Sequence, residues 1–194
     1  MEDLSLHILD IVENGTKAGA TLIQISITED RSNDILSIHI RDNGRGMGRE
    51  MLEKVRDPFV TTRTTRRVGM GLSLLEQAAQ EAGGDISIES EPGRGTSVCA
   101  TFKASHIDRK PLGNMESTML TLILGNPDID FVYYSNMGGE EISLDTREIR
   151  TELEEPLTMS HPAVLDLIRD LFRNTRESRS DLHPISGGIR DGQT

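Results

Sequence analysis

Tryptophan is absent from this 194-residue chain, and two tyrosines, four phenylalanines and one cysteine are all it holds of those types. So few aromatics leave the core to aliphatic and methionine side chains and argue against base stacking as a mode of recognition. A lone cysteine, Cys99, excludes an internal disulfide. Its place in the alternating run from Thr96 to Lys103 makes it a half-buried strand residue, with a reactive thiol the weaker reading. No apolar run is long enough to span a bilayer. The opening Met1-Glu2-Asp3-Leu4 has neither the basic nor the apolar region of a signal peptide, so a cytoplasmic location is expected. Positive charge is scarce as well: 21 Lys and Arg stand against 32 Asp and Glu, for a formal net charge of −11. That balance excludes sequence-independent nucleic-acid binding and adhesion to an anionic membrane, both of which need a basic face. Phosphate recognition, if present, must be local. His39, His106, His161 and His183 show no metal-ligand spacing.

What is present in quantity is glycine, gathered into two boxes. Asp42-Asn43-Gly44-Arg45-Gly46-Met47 follows the alternating segment Ile35 to Ile40, so a carboxylate and two glycines sit where a strand stops and the backbone turns tightly. A ligand can approach the main chain there. Gly69-Met70-Gly71 directly precedes Leu72, Leu75, Ala79 and Ala82, a helical apolar stripe, so free N–H groups point out of a helix N-terminus. That is anion-binding geometry. Thr61 to Arg67, between the boxes, has hydroxyls and guanidiniums without apolar period; it suits a lid over phosphates or an ordinary solvated loop.

Taken in order, Leu4, Ile8, Ile11 and Val12 predict an amphipathic helix reaching about Lys17. Asp10 and Asn14, four apart, share another face of it, which by itself reads as the solvated side. Ile23, Ile25 and Ile27 alternate as a strand, and Glu29 to Asp34 connect it to the next as a hairpin. Met51, Leu52 and Val55 mark a short helix stopped at Asp57-Pro58. The helix after Gly71 ends at Gly83-Gly84, and strands around Ile86-Ile88 and Val98-Phe102 flank the turn Glu91 to Gly95. Strand pairs joined by short hairpins predict an α+β fold, a mixed and mainly antiparallel sheet with helices on one face.

With these boxes in this order, the first hundred residues resemble the GHKL superfamily of ATP-binding domains. Glu13-Asn14 through Thr21 is similar to the asparagine box of mismatch-repair ATPases. Asp57-Pro58-Phe59 to Ser73, Gly84-Asp85-Ile86 and Gly93-Arg94-Gly95-Thr96 are most similar to histidine kinases. The resemblance implies a Bergerat fold, a two-layer α/β sandwich, over residues 1–104, with ATP and Mg²⁺ as ligands. It implies that Asp42 accepts from the adenine amino group, with Gly44, Gly46 and Met47 around the base and Thr96 beside it. Asn14 would hold Mg²⁺, Gly69, Met70, Gly71 and Leu72 would meet the phosphates, and Arg63 would pair with the terminal phosphate. Asp10 stands one turn before Asn14, where mismatch-repair ATPases and anti-sigma serine kinases carry a Glu that activates water or a hydroxyl. Its shorter side chain leaves metal or water positioning open beside a direct base role.

Too few residues precede the asparagine-box helix for a histidine kinase's phosphoacceptor hairpin, so a complete histidine kinase is not expected. Residues 105–115 read as a linker, 116–173 as a small α/β unit for interaction or dimerisation, and 174–194 as a disordered tail. Such a unit is marginal alone and is expected to pack on the first domain, on a second copy or on a partner. The functional expectation is a regulatory kinase or ATP-driven switch acting on a separate protein. An ATPase that opens and closes a dimer and a non-enzymatic ATP sensor are the alternatives.

Overall fold

The computed structural model describes residues 3–56, 70–152 and 158–180. Helix α1 (Leu4–Lys17) begins at Asp3, whose carboxylate accepts from the Leu6 N–H at 3.2 Å, and it buries Leu4, Ile8, Ile11 and Val12. Strands β1 (Leu22–Asp30) and β2 (Ile35–Asp42) pair antiparallel, with Ile25 opposite Ile40. Asp30 shapes their turn by accepting from the N–H and side chains of both Ser32 and Asn33. These bonds favour the carboxylate and hold Asp30 at about 2, below the ordinary 3.8.

Helix α2 (Arg49–Arg56) precedes α3 (Met70–Glu81), and Gly83, at φ +68°, ends α3 while the Gly84 N–H returns to the Ala79 carbonyl. Strands β3 (Ile86–Glu91) and β4 (Gly95–Lys103) follow as a hairpin. Then come α4 (Met115–Gly125), β5 (Asp130–Met137), β6 (Glu140–Asp145), α5 (Thr146–Glu152) and α6 (Pro162–Ser180).

All of these strands join one sheet in the order β3-β4-β2-β1-β5-β6, antiparallel except where β5 runs parallel to β1. The architecture is therefore α+β with a mixed, mainly antiparallel sheet, as the hairpin spacing predicts. Alternation places one cross-strand row, Ile88, Val98, Ile40, Ile25, Tyr133 and Leu144, wholly inside. The helices cover that face; the other carries His39, Arg41, Ser97 and Cys99, with the His39 Nε2 and Ser97 Oγ 2.7 Å apart. Cys99 is half-buried on β4 and its thiol is pushed above its ordinary acidity range by burial, which disfavours the reactive thiolate.

Residues 130–145 extend the sheet of the first hundred residues through β1, and α4 and α6 pack with α1 and β6 over the same core. Tyr133 and Phe172 stack at 5.4 Å between ring centroids. Arg150 of α5 ties this region to the turn before β5, donating to Asp130 at 2.9 Å and to the Pro127 carbonyl at 2.5 Å. The segment expected as a linker lies against α1, whose Leu4 and Ser5 N–H groups donate to the Pro111 and Leu112 carbonyls at 2.9 and 2.8 Å. Those are helix-terminal donors that α1 cannot satisfy itself.

One boundary differs from the sequence expectation: α6 continues through Ser180, past Asn174, where the polar tail was placed. No proline or glycine interrupts residues 174–180, and Arg and Glu sustain a helix already nucleated on the core.

Candidate functional site

Helix α1 is the spine of the site because two of its residues and its C-cap, Ala18, touch three other elements. Gly71, in the first turn of α3, lies so close to Asp10 that a Cβ placed there would sit 2.8 Å from the Asp10 Cβ. Gly15 meets the end of β2, where its Cβ would fall 3.0 Å from the Asp42 Cβ. Ala18 meets the first glycine box, with its methyl 2.9 Å from the Cβ position of Gly44. Small residues are required at each crossing, since a larger one would separate the helix from the loop it braces. Asn14 stands half-buried on the same helix, between Asp10 and Gly15, and Asp10 is exposed.

The first glycine box is held from both sides. Asn43 fixes its base to the start of β1: its Oδ1 accepts from the Thr21 and Leu22 N–H groups at 2.8 and 2.9 Å, and its Nδ2 donates to Thr21 Oγ1 at 2.9 Å. The Arg45 N–H donates to the Ala18 carbonyl at 3.0 Å, and the Gly93 N–H donates to the Arg45 carbonyl at 2.7 Å. Gly46 has φ +63°, and a Cβ there would run into the Glu91 carbonyl oxygen. Only glycine fits that position, on grounds of both conformation and space.

Asp42 is half-buried at the strand end and accepts from the Gly44 N–H at 2.8 Å. Burial raises its pKa above the ordinary 3.8, only partly offset by the Gly44 and Thr96 N–H groups. A ligand with N–H donors would relieve that cost. Thr96 pairs across the sheet with Asp42, and Met47 donates its N–H to Ser90 Oγ at 2.8 Å. Leu72 is buried with its side chain in the core, so it can present only its main chain outward, in the first turn of a 12-residue helix.

The structure thus brings together Asp10, Asn14, Asp42, Gly44, Gly46, Met47, Gly71 and Thr96 along α1 and the adjoining strand ends. Met70 begins α3. Arg63 and Gly69, with Asp57-Pro58-Phe59 and the lid stretch from Thr61 to Arg67, lie outside the described residues. Asn43, Gly15 and Ser90 hold the site but escaped the sequence reading. Ser90 had a signal: it alternates in phase with Ile86 and Ile88, so a hydroxyl occupies an inward position.

Helices on one face of a mixed sheet, with a glycine-rich strand end braced by an Asn-bearing helix, define the architecture of the site. Residues 2–106 match the family described as histidine kinase-, DNA gyrase B- and HSP90-like ATPases, and the chain belongs to that family. It is similar to sporulation kinase D of Bacillus subtilis, at 34% identity over 98 residues, covering 50% of this chain and 19% of that protein. It is also similar to the sensor protein SrrB of Staphylococcus aureus, at 35% identity over 101 residues, covering 50% and 17% respectively. The non-motile and phage-resistance protein of Caulobacter vibrioides matches at 28% identity over 112 residues, covering 53% of this chain and 13% of that one. The chain therefore spans less than a fifth of the length of these curated relatives. Among solved structures, the N-terminal domain of a DNA repair protein shares the fold, with a TM-score of 0.51 and 16% identity over 75% of this chain and 53% of that one.

Proposed function

We propose that this chain binds Mg·ATP and acts as a regulatory kinase or ATP-driven switch on a partner protein. The observation that carries the reading is the convergence on α1: Asp42 and the α3 N-terminus are both in contact with one helix, which itself bears Asp10 and Asn14. Asp42 receives the adenine amino group, Gly44, Gly46 and Met47 shape the base pocket, and Gly71 and Leu72 offer N–H groups to the phosphates.

Among the described residues no cluster of three His, Cys, Asp or Glu side chains could hold a metal ion. The half-buried Asn14 side-chain oxygen, a neutral donor, fits Mg²⁺ bound mainly by nucleotide phosphates; the ion would supply charge neutralisation. Asp10, exposed one turn away, is placed to orient or deprotonate an oxygen nucleophile. Its proximity to the α3 N-terminus favours a second reading, hydrolysis of ATP, over a purely passive sensor.

No helix among the described residues is long and apolar enough to cross a membrane. Residues 116–173 serve in this proposal as the surface that selects the partner, or a second copy of the chain.

The test is titration of the purified chain with Mg·ATP beside Asp42→Asn. The parent is expected to bind and the variant to lose at least about a hundredfold in affinity while melting no lower. An Asp42→Asn protein that binds as tightly as the parent removes this pocket assignment.

A further inference from the structure

Across β3, β4 and β2 the inner face of the sheet is apolar row after row until its last row, where Ser90, Thr96 and Asp42 face one another. Hydroxyl protons in that row are countable. A serine hydroxyl has one proton to give and can accept twice. The Met47 N–H donates to Ser90 Oγ at 2.8 Å. The Gly95 carbonyl oxygen lies 3.0 Å from the same Oγ, and since a carbonyl only accepts, the Ser90 proton is spent there. Thr96 Oγ1 is also 3.0 Å from Ser90 Oγ, so in that contact the threonine must be the donor. With its proton turned to Ser90, Thr96 presents only lone pairs toward the pocket. Asp42, next in the row, is an acceptor too.

We infer that Ser90 is a positioning residue that holds Thr96 as a hydrogen-bond acceptor, and that it thereby makes the pocket prefer a nucleobase bearing an amino group to one bearing a carbonyl at the same edge. This rests on the reading of Asp42 and Thr96 as the base-recognition end of the site. The physical reason is polarity matching: two acceptors meet the two N–H bonds of an amino group, whereas a carbonyl opposite them leaves buried lone pairs facing lone pairs. If Ser90 were absent, the Thr96 hydroxyl could rotate and donate to that carbonyl.

The experiment compares Mg·ATP with Mg·ITP, which carries a carbonyl in place of the 6-amino group, by displacement of a fluorescent nucleotide from the full chain. The parent is expected to favour ATP by about tenfold or more. Ser90→Ala narrows that ratio by about fivefold, chiefly by strengthening ITP, and Ser90→Thr restores it. In a Thr96→Val background Ser90→Ala narrows the ratio no further, because Ser90 acts through the threonine. Ser90→Cys, close in volume but a poor donor and acceptor, carries the same expectation if the alanine variant does not fold. A folded Ser90→Ala or Ser90→Cys protein that keeps the parental ratio within about twofold overturns the inference, as does equal narrowing with and without the Thr96 hydroxyl. A parent that binds both nucleotides equally sinks the assignment of the amino group to Asp42 together with this inference, whereas a parental ratio kept by the folded serine variants sinks the inference alone. A parent that binds neither sinks the pocket reading with it.

Discussion

Gly71 of α3 packs directly on Asp10 of α1, leaving 2.8 Å where a Cβ would meet the Asp10 Cβ. A Cβ sits rigidly on its own backbone, so no rotamer change could make room, and a side chain at position 71 would move one helix against the other. Gly71→Ala is a sensitive probe because the expectations conflict. Helix propensity alone would stabilise α3 by about 1 kcal/mol. The contact predicts the opposite, no gain in melting temperature and a fall of about tenfold or more in Mg·ATP affinity. A more stable variant with parental affinity would show that the close approach does not matter.

Asp10→Ala separates binding from chemistry. The variant is expected to bind Mg·ATP within about threefold of the parent and to lose about a hundredfold or more of any phosphate release the parent shows. Phosphate release measured after binding has been confirmed for both proteins decides this. Unchanged turnover in the variant would take Asp10 out of the chemistry.

Asp42 and Asp30 link stability to pH with opposite signs. The folded value of Asp42 is raised by burial, so its contribution is present at low pH and is lost as pH rises from 3.8 through the folded value. Near neutrality its charge is therefore a cost, and Asp42→Asn is expected to melt as high as the parent or higher. Asp30 is held at about 2 by its hydrogen bonds, so its contribution is present above the ordinary 3.8 and disappears as pH falls toward 2. Thermal melts of the parent and Asp30→Ala should differ at pH 5 and converge as pH approaches about 2. A gap that persists unchanged to that pH would assign Asp30 a role other than its charge.

Gly46→Ala joins two penalties, a side chain at φ +63° and overlap with the Glu91 carbonyl. A loss of about 2 kcal/mol or more in denaturant unfolding is expected, together with loss of nucleotide binding. Retention of both would mean that the β3-β4 turn yields without consequence.

Truncation after Lys103 is expected to give an aggregating or unfolded product. It would strip β5 from the β1 edge and remove the carbonyls that bond the Leu4 and Ser5 N–H groups. A monomeric truncated chain that still binds Mg·ATP would show that residues 1–103 stand alone.

Much of the fold was legible because it is local. Alternation at Ile23-Ile25-Ile27 and Ile86-Ile88, the stripe Leu4-Ile8-Ile11-Val12, and glycines at Gly44, Gly46 and Gly83 specify elements and turns within a few residues of themselves. Their order, with the asparagine box and the two glycine boxes, was enough to indicate the family. Tertiary structure alone decided what depends on distant partners. The parallel seat of β5 on β1 has no local signal, because a parallel pair is specified by edge matching across a long crossover and not by a turn. The contact of Gly71 with Asp10, the bracing of Asp42 by Gly15, and the turning of the Thr96 hydroxyl by Ser90 each join residues that sequence keeps apart. Periodicity reports which way a side chain faces, and only packing reports what it meets there.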